Sequence, residues 1–154
     1  MKHASKLTNM EKAIDAAAPT IAHFNRSKGK PFTEGLLILW LVYLNDMLNL
    51  RKPLTEDQIE LCAITVVTDY ANLKMSDLTL LFKRIISGQY GEFFESLSVA
   101  KVLTFFRNYQ EERLNLAEEM SIREHNNRMS DDTFNYSTSL ERLWYGAKGF
   151  NSKK

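Results

Sequence analysis

Apolar residues recur along the chain with the 3.6-residue period of α-helices, and no segment alternates as a strand does. From residue 33 onward the predicted helices begin at Thr33, Thr55, Ser76, Ser98 and Thr138, where a hydroxyl residue precedes an apolar stripe. Asn9 and Pro19 start two shorter segments. We therefore predict an all-α protein, a single compact domain of about five to six helices covering residues 1–154.

The longest apolar run, from Leu36 to Leu44, reads LLILWLVYL. Apolar residues nearly surround the axis of the predicted helix 33–50, which is typical of a helix buried on all sides. We predict that this helix is the centre of the core and that Trp40 is buried. Nine helical residues span about 14 Å, against about 30 Å of membrane hydrocarbon, so the run is not a membrane span.

A glycine-bracketed aromatic loop, Gly88-Gln-Tyr-Gly91-Glu-Phe-Phe94, separates two of the predicted helices. Gly88 follows the last apolar turn of the preceding helix, where a left-handed residue commonly ends a helix. So many glycine and aromatic residues indicate a shaped feature rather than a plain turn. The loop is either packed in place or exposed for a partner, and both alternatives stay open.

The helix after this loop is the longest, predicted from Ser98 to Asn126, and its second half is more polar than its first. Two favourably oriented i,i+4 pairs, Glu119–Arg123 and Glu124–Arg128, support that second half. The polar stretch 126–132 predicts a break before the short helix that begins at Thr138. Residues 151–154 are predicted to be a flexible tail.

Net charge is +1, so no overall basic field attracts nucleic acid. The charge is nevertheless uneven. Residues 1–30 carry six Lys or Arg against two acids, and residues 31–80 carry three against seven. This basic amino-terminal arm and the acidic block after it either bind a partner or neutralise each other within the fold.

Candidate chemistry is sparse. Cys62 is the only cysteine, which excludes an internal disulfide, and its place on an apolar stripe favours an inert buried thiol. The three histidines have no metal-ligand spacing, and Gly88-x-x-Gly91 lacks the Lys-Ser/Thr of a phosphate loop. We expect no metal site, no cofactor and no catalytic constellation. The start has no signal-peptide apolar core, which favours a cytoplasmic protein of a bacterial host cell.

One cluster of residues is a candidate binding site, because cations and aromatic side chains alternate around the glycine loop. Such an arrangement can stack bases while cations meet phosphates, although neighbouring acids dilute the patch. The predicted partner-binding residues are Arg84, Gln89, Tyr90, Glu92, Lys101, Arg107 and Arg113. Arg113 lies one turn after Tyr109 and needs a partner there, for which Glu92 is the candidate. The alternatives are a structural clamp and a site edge that contacts a partner.

Several segments match a known pattern: Trp40-Leu-Val-Tyr-Leu-Asn-Asp46, Ser76-Asp77-Leu78, Gly88-Gln-Tyr-Gly91-Glu92, and Tyr109 with Arg113. On these residues the chain from about Trp40 to Glu119 resembles uncharacterised small helical proteins of phages and mobile elements of Bacteroidetes-type bacteria. Their general look is loosely similar to phage replication accessory and helicase-loader proteins. The resemblance implies a context rather than a chemistry.

We therefore expect a non-enzymatic macromolecular-interaction protein of phage or mobile-element origin, with a DNA-replication accessory or helicase-loader-like adaptor as first candidate. The alternatives are an inhibitor or regulator of a host protein and a small enzyme of unknown reaction. A protein partner is favoured, nucleic acid comes second, and no membrane contact is expected. Neither the partner's identity nor the oligomeric state is indicated by the sequence.

Overall fold

The computed structural model describes residues 9–91 and 96–148, with side chains up to residue 129. This part of the chain forms six α-helices and no β-strand. They are α1 (Met10–Asp15), α2 (Ile21–Lys28), α3 (Lys30–Leu48), α4 (Glu56–Asp69), α5 (Met75–Ile86) and α6 (Val99–Lys148). The all-α class predicted from the sequence is confirmed. By internal contacts the chain divides into two units, Met1–Leu116 and Ala117–Lys154.

The core of the first unit takes one face from each of its helices. Its largest fully buried side chains are Tyr109, Phe106, Ile21, Leu37, Leu41, Leu44, Leu73, Leu78, Leu81 and Ile85. Aromatic rings connect the helices, because Phe106 of α6 lies 5.3 Å from Tyr70 and 6.3 Å from Phe82 between ring centroids. Burial of these residues is the main source of stability for the unit.

Helix α3 is buried on one face only. Leu37, Leu41 and Leu44 are fully buried, as the sequence predicts, whereas Leu39 and Tyr43 on the other face are 67% and 51% exposed. The expectation of a helix buried on all sides is therefore corrected. Where almost every position is apolar, the period cannot indicate which face turns outward. Within residues 9–91 and 96–148, every helix is too short or too polar to span a lipid bilayer.

Trp40 is half-buried rather than buried as predicted. Its ring meets Phe82 of α5 edge-on, with 5.1 Å between centroids and planes at 79°. This is a favoured arrangement of two aromatic quadrupoles. Trp40 thus packs at the margin of the core, between the buried face and the exposed face of α3.

Two predicted helix ends are confirmed. Thr55 and Gln58 form a capping box at the start of α4, with the Thr55 hydroxyl accepting from the Gln58 backbone N–H and the Gln58 side chain accepting from that of Thr55. Gly88 follows α5 with φ of +76°, and Gly91 has φ of +96°. Both glycines therefore occupy backbone conformations that L side chains rarely adopt.

The start of α5 differs from the prediction. Ser76 lies inside the helix, and its hydroxyl donates to the carbonyl of Ala13 at 2.8 Å instead of capping. The residue before the helix is Lys74, whose backbone N–H donates to Oδ2 of Asp77 at 2.8 Å. Lysine is not a capping residue by type, so the sequence placed the boundary two residues late.

Helix α6 continues through the predicted break at 126–132, and that prediction is wrong. No Gly or Pro occurs between residues 99 and 145, and Asn, Ser and Asp each lower helix propensity by less than about 0.7 kcal/mol. In the second unit the predicted pairs are confirmed, with Glu119–Arg123 at 3.4 Å and Glu124–Arg128 at 3.1 Å. The predicted tail 151–154 lies outside the described residues.

Residues 9–30 of the predicted basic arm belong to the folded core. The backbone N–H of Ile21 donates to the carbonyl of Leu73 at 2.9 Å. The Lys74 ammonium donates to the carbonyls of Ile14 and Ala16, the second at 3.0 Å. The carboxyl end of α1 thus receives a cation, which its exposed carbonyls and the helix dipole both favour.

Candidate functional site

Arg84, one of the predicted site residues, is engaged within the protein. Its Nη1 lies 2.8 Å from Oε2 of Glu112, and its guanidinium lies 5.7 Å from the ring centroid of Tyr109. Burial alone lowers the pKa of Arg84, but interactions with the neighbouring Tyr90 and then with Glu112 more than offset this, so its pKa is raised. Only 19% of its side chain is exposed, which leaves little of this cation for a partner.

Arg113 is engaged by a different residue from the one predicted. Its Nε donates to Oδ2 of Asp77 at 2.9 Å, and the hydroxyl of Tyr109 donates to Oδ1 at 3.0 Å. With the Lys74 backbone N–H, the fully buried carboxylate receives three donors. Burial, followed by the charge of Asp77, raises the pKa of Tyr109. This network joins the first turn of α5 to α6, while Glu92 lies outside the described residues.

Sequence reasoning missed Asp77 as the centre of this network. The available signal was Asp at the third helical position, where a side chain reaches back to a backbone N–H, combined with Tyr109 and Arg113 at i,i+4 spacing. Placing the start of α5 at Ser76 concealed it. The network is a structural clamp, because all three side chains satisfy one another.

In the described part of the aromatic loop Tyr90 is packed against the protein, whereas Gly88, Gln89 and Gly91 are exposed. Tyr90 is half-buried, and its ring lies 5.5 Å from that of Phe105 between centroids. Its hydroxyl is buried with no partner in hydrogen-bonding geometry among the described residues. Burial raises the pKa of Tyr90, against the opposing effect of the nearby Arg84. Phe93 and Phe94 lie outside the described residues.

Gln89, Lys101 and Arg107 are the predicted site residues that are exposed. Acids Glu111 and Glu112 are exposed on the same helix as the two cations. The structure therefore brings Arg84 and Tyr90 near each other, and Arg113 into the clamp. Glu92, the seventh predicted residue, lies outside the described part of the chain.

Tyr109 and Arg113 are both occupied by a contact within the protein. The hydroxyl of Tyr109 and the Nε of Arg113 both donate to Asp77. Cys62 is fully buried, and desolvation raises the pKa of its thiol to about 11, so it is protonated at neutral pH. Among the side chains described, no three His, Cys, Asp or Glu residues are grouped to hold a metal ion.

An exposed apolar surface on α3 was not predicted. Its members recur every seven or four residues and so occupy one helix face. The set, called the α3 stripe, consists of Phe32 (54% exposed), Leu39 (67%), Tyr43 (51%) and Met47 (51%). Half-buried Leu36 fills the gap after Phe32, and Val42 is 40% exposed beside the stripe. The sixteen residues from Phe32 to Met47 are separated by fifteen helical rises of 1.5 Å, so this surface is about 22 Å long.

The α3 stripe belongs to an acidic pair of helices. Helices α3 and α4 pack against each other, and α4 also exposes Leu61 and Ile64. The only cation in the two helices is Lys30, which lies 3.7 Å from Glu34. Their acids are Glu34, Asp46, Glu56, Asp57, Glu60 and Asp69, all exposed except Glu34. With the exposed Arg51 and Lys52 of the loop that joins the two helices, residues 30–69 carry three cations against six acids, a net charge of −3.

Comparison with known protein families matches residues 52–147 to DUF6633, a family of unknown function. The matched region contains the Asp77–Tyr109–Arg113 clamp, whereas α3 precedes it. No curated protein and no solved structure matches the chain. Because the match spans more than half of its residues, the chain belongs to the DUF6633 family.

Proposed function

We propose that the protein is a non-enzymatic interaction module that docks a partner protein on the α3 stripe. The observation that carries the proposal is a row of large apolar side chains, each more than half exposed, on one face of a helix. Scattered exposed apolar residues are ordinary, but a contiguous patch is typical of an interaction site. Helix faces of this kind recognise partners through anchors at i, i+4 and i+7 spacing.

The size of the patch suits a reversible complex. Burying the remaining half of one such side chain contributes roughly 1 kcal/mol, so the four side chains of the stripe contribute about 4 kcal/mol. Tyr43 offers a rigid ring together with a polar hydroxyl, the kind of residue that is enriched among interface anchors. The stripe thus supports a transient adaptor rather than an obligate assembly.

A protein partner is favoured over nucleic acid by the charges. Helix α3 and the adjacent α4 together hold six acids and one lysine. The excess of acids repels phosphate. Among the predicted cations, Arg84 and Arg113 are paired with Glu112 and Asp77. From the sequence resemblance, replication proteins of a phage or mobile element are the first partners to test.

Photocrosslinking in cells that carry the native gene tests the proposal. A photoreactive phenylalanine analogue replaces Tyr43, and the matched control places it at Leu114, which is 53% exposed on α6. We expect a discrete adduct from position 43 that disappears when Leu39 is changed to Ser. Equal adducts from positions 43 and 114, or none from 43, would overturn the docking role.

A further inference from the structure

We infer that the occupant of the α3 stripe is a cationic amphipathic helix of a partner protein, about four turns long. The inference rests on the proposed docking role and names the chemistry of the partner. Three features of the described residues support it: the shape of the stripe, the charge around it, and the position of two acids at helix ends.

The shape of the α3 stripe fits a helix. From Phe32 to Met47 the apolar positions form one row along the axis, at spacings that a second helix matches with its own ridges. A row about 22 Å long corresponds to roughly 15 helical residues in the partner. The partner helix would therefore present apolar residues at i, i+4, i+7 and i+11.

The charge around the stripe calls for a cationic partner. Asp46 lies one helical turn after Tyr43, and Glu60 is exposed on the neighbouring α4. Neither carboxylate makes an ion pair with a described side chain, and five of the six acids of α3 and α4 are exposed. Lysine or arginine flanking the apolar row of a partner would meet these acids and steer its approach.

Two of these acids stand where a helix disfavours them. Asp46 lies in the last turn of α3, and Asp69 is the last residue of α4, while neither helix has a basic residue in its last turn. The negative end of the helix dipole favours cations at such positions. A bound cationic segment would offset the unfavourable negative charge at the carboxyl ends of both helices. In contrast, Glu56 and Asp57 stabilise the first turn of α4.

The same charges disfavour other occupants. A second copy of the chain would bring two acidic faces together, and nucleic acid would bring phosphates. The chain's own first residues, which include Lys2 and Lys6, form a cationic segment that would compete with a partner for the stripe. The experiment described next distinguishes each of these occupants from a cationic helix of a partner.

Two designed helical peptides of about 16 residues provide the probe. Both carry leucine at i, i+4, i+7 and i+11, one with lysine at every flanking position and the other with glutamate. Fluorescence anisotropy measures their binding to the full chain. Because like charges across an interface cost several kcal/mol, we expect the glutamate peptide to bind at least about tenfold more weakly. Affinity for the lysine peptide should fall as salt rises.

Substitutions test whether the lysine peptide binds on the α3 stripe. The double change Leu39→Ser with Tyr43→Ser should abolish binding of the lysine peptide, whereas Leu114→Ser should leave it unchanged. Asp46→Asn with Glu60→Gln should reduce the difference between the two peptides. Circular dichroism verifies that each variant remains helical. Unchanged binding in the stripe variant would overturn the inference.

The outcomes separate this inference from the docking role. If crosslinks still form from position 43 but the peptides bind equally or not at all, the docking role stands and the cationic helix is excluded. Without crosslinks and without peptide binding, both fail. A dimer that the Leu39→Ser change dissociates would identify a second copy as occupant. Tighter peptide binding after deletion of residues 1–8 would identify the chain's own segment, and either result would overturn the inference.

Discussion

Arg113 of α6 donates its Nε hydrogen to Oδ2 of Asp77 in the first turn of α5, across 2.9 Å. Asp77 is fully buried, and 14% of the Arg113 side chain is exposed. Removing either partner leaves an uncompensated charge in a poorly solvated place, which costs more than the intact pair contributes. The two residues therefore fix the approach of α5 to α6.

Asp77→Asn should lower the free energy of unfolding by about 3–5 kcal/mol, because the cation of Arg113 then lacks a counter-charge in a partly buried place. Urea denaturation followed by circular dichroism measures the change. The control is Glu112→Gln, which removes the half-exposed partner of Arg84 and should cost about 1 kcal/mol or less. Similar losses in the two variants would contradict the assignment of Asp77 as the centre of the clamp.

Trp40→Ala should cost about 2 kcal/mol, roughly half the value for a fully buried aromatic residue, because the ring is half-buried against Phe82. Phe106→Ala is the comparison and should cost about 3–5 kcal/mol, since Phe106 is fully buried. Equal losses on urea denaturation would mean that Trp40 contributes to the core as much as Phe106 does.

Gly88→Val should destabilise the protein by about 1–2 kcal/mol, since a side chain at φ of +76° clashes with its own backbone. No neighbouring atom lies within 4 Å of the position that a Cβ would take, so the cost comes from the backbone conformation. Gly88→Asn is the matched control, because Asn tolerates left-handed angles, and it should cost less. If Gly88→Val and Gly88→Asn have the same midpoint of thermal unfolding, the positive φ of Gly88 is not the cause of the destabilisation.

From the burial of the Cys62 thiol we predict that the free energy of unfolding falls at alkaline pH. Burial raises the pKa of its thiol from 9.0 to about 11, so the unfolded chain ionises first. Its contribution is therefore fully present below pH 9.0 and is lost as pH rises through about 11. In Cys62→Ala, urea midpoints measured between those pH values should fall less steeply than in the unsubstituted protein. If the urea midpoint falls equally steeply with pH in both proteins, the thiol is not desolvated.

Local features of the fold were readable from the sequence. The Thr55–Gln58 box and the left-handed Gly88 depend on residues within one turn of each other, so their residue types suffice to predict them. The clamp joins residues 32 and 36 positions apart, so the local signals on α5 and on α6 do not indicate that these residues meet. The sequence pointed to Glu92 as the partner of Arg113, whereas the Nε hydrogen of Arg113 goes to Asp77.

The exposure of the α3 stripe was hidden for a different reason. Leu39 and Leu41 are the same residue type two positions apart, yet one is 67% exposed and the other fully buried. Hydrophobicity alone assigns both to the core. Only the packing of the other helices determines which side of α3 they cover, so an interaction face made of core-type residues cannot be distinguished from a core face by composition.

The contacts of Lys74 bear on the order in which the chain folds. Its ammonium reaches carbonyls that lie 60 and 58 residues earlier, at the end of α1. Closing so long a segment costs more chain entropy than forming the neighbouring pair α3–α4. We expect the amino-terminal helices to dock after the rate-limiting step. Substitutions in α1 should then accelerate unfolding and leave the folding rate nearly unchanged.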